Sequence, residues 1–131
     1  MGSMSVFDVA SRAMSAQMVR LNTTASNLAN ARTDYASEDE AFRAMRPVFR
    51  SVVEDNLATV DVDRVVKTDA APQKRHDPTN PIADEEGYVW EAAVDETAEL
   101  IDMLETARNY QNNVQVLQTA KTLILETVRN Q

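Results

Sequence analysis

The stretch LIDMLETARNYQNNVQVLQTAKTLILETVR, residues 100–129, decides the fold because it repeats apolar side chains every seven residues and lacks glycine and proline. With Leu100 as position a of a heptad, the a positions are Leu100, Ala107, Val114, Lys121 and Val128, and the d positions are Met103, Tyr110, Leu117 and Ile124. The pattern predicts one helix from about Asp95 to Arg129, roughly 50 Å long at 1.5 Å per residue. A single compact core has little use for that length, so the pattern favours packing against other helices.

A second seven-residue repeat lies near the start of the chain. It consists of Phe7, Met14, Leu21 and Leu28. This repeat predicts a helix from about Val6 to Ala31, and Ser5 can cap its first turn. The neighbouring positions are rich in alanine and methionine, which permit close approach and adaptable packing.

The middle of the chain has a different character. Residues 47–93 contain all four prolines, and Ala58 to Thr68 alternates β-branched with polar residues, which predicts a strand. A second strand is predicted in GYVWEAAV, after Gly87, and the polar, proline-interrupted segment between the two strands is expected to be a long exposed loop. These predictions divide the chain into four segments. Residues 1–3 are a possible tag scar, residues 4–36 hold the N-terminal helix, residues 37–93 form the extended, β-containing middle segment, and residues 94–131 hold the C-terminal helix.

Composition excludes several classes of function. The chain has 131 residues, with 13 Lys and Arg against 21 Asp and Glu, and a net charge of −8 disfavours nucleic acid and anionic membranes as partners. No cysteine is present, so thiol chemistry and disulfides are excluded. The sequence has no apolar run of about 18 residues and no basic-then-apolar leader at its start, so we expect neither a membrane span nor a cleaved signal peptide.

Residues that could carry chemistry are isolated from one another. His76 is the only histidine and has no neighbouring metal ligands, and the loop 77–88 has prolines where a calcium loop needs ligands and a turn. Asp95, Glu99 and Asp102 are expected to form the solvated face of the long helix. We therefore expect no enzyme activity, no metal and no cofactor. Lys121, at an a position, either extends its ammonium group to solvent or fixes the register of an assembly.

Four blocks of sequence, in this order, resemble one family. They are SNLANART (26–33), AFRAMRPVF (41–49), DPTNPIADEEGYVW (77–90) and ARNYQNNVQVLQTAKTLILETV (107–128). They are similar to blocks of the bacterial flagellar axial proteins, which include the rod and hook proteins, and the second and third are similar to the proximal rod branch. The chain departs from many axial proteins at Thr33-Asp34-Tyr35, where a Thr-Pro-Gly-Tyr turn is common.

The resemblance implies a fold and a function. The fold would be mainly α, with the N- and C-terminal helices paired as a coiled coil and a small β-containing middle segment of a hairpin plus a long loop. The protein would be a structural subunit of the hollow flagellar rod, which crosses the periplasm and transmits torque. Its partners would be itself, other rod proteins, the flagellar type III export apparatus, which would export it without a cleaved signal, and the inner-membrane ring at the rod base.

The resemblance and the two repeats together indicate candidate assembly residues. In the first helix they are Phe7, Met14, Leu21, Asn27, Leu28 and Asn30, and in the second they are Leu100, Met103, Tyr110, Asn113, Val114, Leu117, Lys121 and Ile124. Asn27 and Asn30 would end the first helix by offering their amides to the backbone or to a neighbouring subunit; simple capping is the alternative. We expect both terminal helices to order only on docking.

Two other functions stay open from the sequence. A soluble coiled-coil adaptor would bind a partner through the C-terminal repeat and form a discrete oligomer. A metal-binding module would use the 77–88 loop.

Overall fold

Two long helices begin and end close to where the repeats predict. The computed structural model describes residues 5–54 and 56–130, so the possible tag scar at residues 1–3 lies outside the described residues. Helix α1 spans Val6–Asn30 and helix α2 spans Glu96–Arg129. The Ser5 side chain accepts a hydrogen bond from the backbone of Asp8, whose side chain bonds the Ser5 backbone in return, so the predicted cap is confirmed.

Five short strands lie between the helices. They are β1 (Asp34–Tyr35), β2 (Met45–Glu54), β3 (Leu57–Lys67), β4 (Gln73–His76) and β5 (Tyr88–Glu91). The two predicted strands, β3 and β5, are confirmed, and the middle segment contains a hairpin, but the expectation that only a loop lies between β3 and β5 is wrong, because β4 lies there. β3 pairs antiparallel with β2, whereas β5 lies between β1 and β4 in a separate three-stranded sheet.

The hairpin of β2 and β3 lies along α1. The Thr59 hydroxyl donates to the carbonyl of Val9 at 3.4 Å, and Arg12 is 3.8 Å from Asp61. The ladder shifts register between Val48 and Phe49. Because the hairpin is a sheet of only two strands, each strand has a free edge, and β2 can contain a proline that a central strand would reject.

One strand of the three-stranded sheet, β4, lies within the segment expected to be a loop. Lys74 on β4 lies over the rings of Tyr88 and Trp90, at 5.3 Å and 5.6 Å from their centroids. His76 is exposed and contacts Tyr88 edge to face, with 4.9 Å between ring centroids. Two hydrogen bonds raise the pKa of Arg75 above its ordinary value; the bond to Asp34 has the larger effect and the bond to Glu91 the smaller. These cross-strand contacts explain why the polar segment is ordered.

The core contains few large apolar side chains. The buried apolar side chains are those of Ala16, Ala41, Ala44, Pro72, Val89, Ala92 and Ala93, and the buried polar residues are Thr24, Asn27, Thr59, Glu99 and Thr106. Most of the large apolar residues of α2 are exposed instead. Among the described residues, no helix combines the length and the apolar character that crossing a bilayer requires.

Candidate assembly site

Helices α1 and α2 pack against each other in opposite directions. Arg32, just after α1, contacts Glu96 at the start of α2 with 3.0 Å between Nε and Oε1, and Asn113 donates to Gln17 at 3.1 Å. The start of α2 thus contacts the end of α1, and residues further along α2 contact residues nearer the start of α1. The structure shows this antiparallel pairing together with polar contacts across it.

Asp102 is the centre of the polar contacts between the helices. Arg20 Nε donates to its Oδ2 at 3.2 Å, and the hydroxyl of Thr24 donates to the same oxygen at 2.9 Å. Partial burial opposes ionisation of Asp102, but the bonds from Arg20 and Thr24 outweigh it, and the pKa of Asp102 lies below its ordinary value. The bond to Asp102 likewise raises the pKa of Arg20. Asp102 therefore stays ionised and fixes α2 to α1.

Glu99 joins α2 to the hairpin. Its side chain is fully buried, and its carboxylate forms an ion pair with Arg46 at the start of β2. Within the described residues 5–54 and 56–130, neither carboxylate oxygen of Glu99 accepts a hydrogen bond of normal geometry. A buried carboxylate depends strongly on its one cationic partner. The expectation that Glu99 and Asp102 form a solvated face is wrong, because arginines distant in sequence lie against both.

Asn27 and Asn30 have separate roles. The amide of Asn27 is fully buried; its nitrogen donates to the carbonyl of Met45 and its oxygen accepts from the N–H of Met45, both at 2.9 Å. It therefore holds the start of β2 rather than bonding the end of its own helix. Asn30 donates to the Ser26 carbonyl, one turn back, at 2.8 Å. The amide of Asn27 is used within the chain, which removes it from the candidate contacts with a neighbouring subunit.

The other candidate residues divide by exposure. Met14, Leu21, Leu28, Met103, Tyr110, Asn113, Val114 and Leu117 are half-buried, and Phe7, Leu100, Lys121 and Ile124 are exposed. Leu100, placed at position a, is 50% exposed, while Glu99 before it is fully buried. From Lys121 to Asn130 every residue is exposed. The buried side of α2 is thus displaced from the predicted a positions, and its last ten residues extend with their apolar side chains uncovered.

Sequence reasoning missed the roles of four charged residues that connect α2 to α1 and to β2, which are Arg20, Arg46, Glu99 and Asp102. Arg20 and Asp102 lie on two helices that were predicted to pair, so a search for opposite charges across them could have found this contact. The Arg46 contact needed the position of β2, which the sequence did not predict.

The described residues do not converge on a catalytic or metal centre. No group of three or more His, Cys, Asp or Glu side chains among them is arranged to hold a metal ion. In the 77–88 loop, one oxygen of Asp84 accepts hydrogen bonds from the N–H groups of Glu86 and Tyr88, at 2.9 Å each.

Comparison with known proteins finds relatives along nearly the whole chain. Residues 7–34 match the family described as "Flagella basal body rod protein", and residues 85–129 match "Flagellar basal body rod FlgEFG protein C-terminal". The chain is 38% identical to "Flagellar basal-body rod protein FlgC" of Escherichia coli O157:H7, over 98% of this chain and 97% of that protein. It is 37% identical to the protein of that name from Salmonella typhimurium, over the same shares. The Aquifex aeolicus protein of that name is 33% identical, over 92% and 90%.

Proposed function

The chain belongs to the family of flagellar basal-body rod proteins and is a structural subunit of the FlgC type, and from this premise we propose that its terminal helices form the wall of the rod. Membership implies assembly with other rod proteins and a place in the flagellum. The family is structural rather than enzymatic. The soluble adaptor is not supported, because curated relatives that match nearly the whole chain are rod proteins.

The observation that carries the proposal is the apolar surface of the helices. Among the described residues, the buried apolar side chains are five alanines, one valine and one proline, Pro72, whereas Leu104 and Val128 are 70% and 64% exposed. Apolar patches of this kind on a polar chain mark surfaces that another chain covers. We propose that neighbouring subunits cover them and extend the helix pair into a coiled-coil wall.

The proposed intersubunit residues follow from this surface. Phe7, Met14, Leu21, Leu28 and Asn30 would contribute from α1, and Leu100, Met103, Tyr110, Asn113, Val114, Leu117, Lys121 and Ile124 from α2. Half-buried members would pack partly within the chain and partly against a neighbour, and exposed members would be covered by the neighbour alone. Asn27 would act by positioning the hairpin, because its amide is already bonded to Met45.

The route of the protein to the rod is also a proposal. We infer export in an unfolded state by the flagellar type III apparatus without a cleaved signal, followed by assembly in the periplasm onto the inner-membrane ring at the rod base. Two observations support it. The chain has no cysteine, so no disulfide opposes unfolding, and its apolar core is small, which favours a low free energy of unfolding.

The test is deletion of the gene followed by complementation, with electron microscopy of the basal bodies. We expect cells without the gene to lack rods, hooks and filaments, and the intact gene to restore them. A gene encoding Ile124→Asp should not restore them, because a carboxylate would be buried in an apolar contact. Thr122→Asp, two residues away and also exposed, is the matched control and should restore filaments. Normal rods in the deletion strain would overturn the proposal.

A further inference from the structure

Helix α2 is attached to the rest of the chain largely through polar side chains. Its buried residues are Glu99 and Thr106, and none of the buried apolar side chains in residues 5–54 and 56–130 belongs to α2. Its apolar residues are half-buried at most, as Met103 and Leu117 are, so each contributes only part of the free energy that full burial would give. Polar contacts therefore carry a large share of the docking of this helix.

Three carboxylates on α2 repeat at every third residue, and each pairs with an arginine from a different part of the chain. The pairs are Glu96 with Arg32, just after α1; Glu99 with Arg46, on β2; and Asp102 with Arg20, on α1. All the anions lie on α2, and all the cations lie on α1, on the residues that follow it or on the hairpin. These three pairs form a clasp between α2 and the rest of the chain.

Helix α1 and the hairpin are joined to each other by contacts that do not involve α2. Asn27 binds both backbone polar groups of Met45, and the hydroxyl of Thr59 donates to the carbonyl of Val9. Residues that precede α2 make all of these bonds. Displacement of α2 therefore leaves the hairpin attached to α1.

A short link connects α2 to the residues before it. Ala93 donates to the carbonyl of Phe42 at 2.7 Å and accepts from the N–H of Ala44 at 3.1 Å, so its backbone is held in place. The next two residues, Val94 and Asp95, precede the first turn of α2, and Asp95 is extended rather than helical. A few such residues can absorb the dihedral changes of a hinge. The helix can thus turn as a unit about this link.

Ionic strength acts directly on the clasp. The Debye length falls from about 10 Å at 0.1 M salt to about 3 Å at 1 M, and exposed ion pairs lose most of their attraction over this range. The side chain of Arg32 is 87% exposed, and those of Arg20 and Arg46 are partly exposed, so salt ions can reach all three cations. Apolar contacts do not depend on this screening. Salt therefore weakens the attachment of α2 more than it weakens the contacts of α1 with the hairpin.

We propose that the clasp is a switch that responds to ionic strength. At low salt it holds α2 against α1 and the hairpin, and at high salt α2 is released as a unit and turns about Val94 and Asp95. The hairpin stays on α1 in both states. This inference goes beyond the proposed place in the rod wall, because it concerns the single chain before assembly.

Pulsed electron paramagnetic resonance can measure the release, because the full-length chain has no cysteine of its own. Nitroxide labels at Ser26→Cys on α1 and Gln118→Cys on α2 occupy exposed positions, and position 118 is far from the hinge, so release moves it a long way. We expect one narrow distance at about 0.05 M NaCl. At about 1 M NaCl, a longer and broader distance should increase in population by at least about tenfold. Dilution of the salt should restore the first distance.

Two variants of the labelled chain separate the clasp from other effects of salt. In Arg46→Met with Glu99→Leu, an apolar contact replaces the buried ion pair, and the population released at high salt should fall severalfold. Asp63→Asn is the matched control, because it removes an acid that pairs with the neighbouring Arg64 on the hairpin, and it should respond as the unsubstituted chain does. Equal release in all three chains would overturn the proposal, since the effect of salt would then lie outside the clasp.

Hydrogen exchange of the unlabelled chain distinguishes release of α2 from unfolding of the whole chain. At high salt, the amides of residues 99–115 should lose protection by at least about tenfold, because a helix without tertiary contacts opens readily. The amides of residues 16–27 should keep their protection. Loss of protection in both segments would overturn the proposal, as would unchanged protection of residues 99–115 at every salt concentration. This measurement needs no substitution, so it tests the release independently of the labels.

Discussion

The side-chain amide of Asn27 on α1 binds both backbone polar groups of Met45, the first residue of β2. The two 2.9 Å bonds reproduce the pattern that a neighbouring strand would make, so the helix supplies β2 with a partner at its base. The hairpin then continues along α1 through Thr59 and Asp61. A single buried amide thus fixes where the β segment leaves the helix pair.

Replacing Asn27 with alanine should therefore destabilise the fold. The change leaves the N–H of Met45 without its partner, while the C=O of Met45 keeps the hydrogen bond from Arg46 Nη1 at 2.9 Å. An unpaired buried group costs about 1–3 kcal/mol, and we expect the free energy of unfolding in urea to fall by that amount. Asn30→Ala is the matched control, because it removes only an exposed bond within the helix and should cost less than about 1 kcal/mol. Equal losses for both variants would contradict the role assigned to Asn27.

The ion pair between Glu99 and Arg46 gives a second stability prediction. Arg46→Met removes the cation and leaves a buried carboxylate without a partner, which should lower the free energy of unfolding by about 3–5 kcal/mol. Adding Glu99→Leu to that variant removes the carboxylate as well and should recover most of the loss. A double-mutant cycle in urea measures the coupling, and additive effects of the two changes would show that the pair is unimportant.

The helices could be predicted because their determinants are local. Each helix is specified by residues that are close together in the sequence. These features are the seven-residue repeats that contain Leu21 in α1 and Leu117 in α2, the cap at Ser5, and the absence of glycine and proline across α2. The ends of both helices follow directly from such features. The four sequence blocks added the family to this prediction.

The β segment and the buried polar contacts could be predicted only in part. The alternation around Val62 identified β3, but its pairing with β2 depends on a hairpin turn at Asn56, which has φ of 65°, and on the tolerance of Pro47 at a free edge. Glu99 has the local pattern of a solvated residue. Its burial is decided by Arg46, which lies on a strand that no local pattern revealed.

Asp102 should make stability depend on pH at the acid end. Its pKa in the folded chain lies below the ordinary value of 3.8, so the contribution of its ionised form is present above that value and is lost as the pH falls through the folded pKa. Asp102→Asn should flatten this part of the profile of unfolding free energy against pH. Glu126→Gln, which changes an exposed acid, is the control and should leave the profile unchanged. If the Asp102→Asn protein loses stability at acid pH to the same extent as the unsubstituted protein, Asp102 is not the cause of that loss.

Gly87 should resist substitution because its backbone is left-handed. It has φ of 86°, and an added Cβ would lie 3.0 Å from Cβ of Pro78 and 3.2 Å from Nε2 of His76. We expect Gly87→Ala to lower the free energy of unfolding by at least about 1–2 kcal/mol, the usual cost of this conformation for a residue with a side chain. Glu85→Ala, exposed in the same loop, should change it by less than about 0.5 kcal/mol. Unchanged urea midpoints for both variants would contradict this.

Hydrogen exchange of the purified monomer should show an uneven degree of order along α2. We now expect only residues 121–130, rather than both helices, to become ordered on docking. Asn27 and Thr24 are buried and hold α1, whereas residues 121–130 are exposed throughout. Amides of residues 16–27 should be protected by at least about a hundredfold more than those of residues 121–130, since local opening is easiest where no tertiary contact resists it. Assembly should then protect the C-terminal residues selectively, because a neighbouring chain would cover them. Equal protection along α2 in the monomer would mean that the end of α2 is stable without a partner. Weak protection of residues 16–27 would mean that α1, too, becomes ordered only on docking.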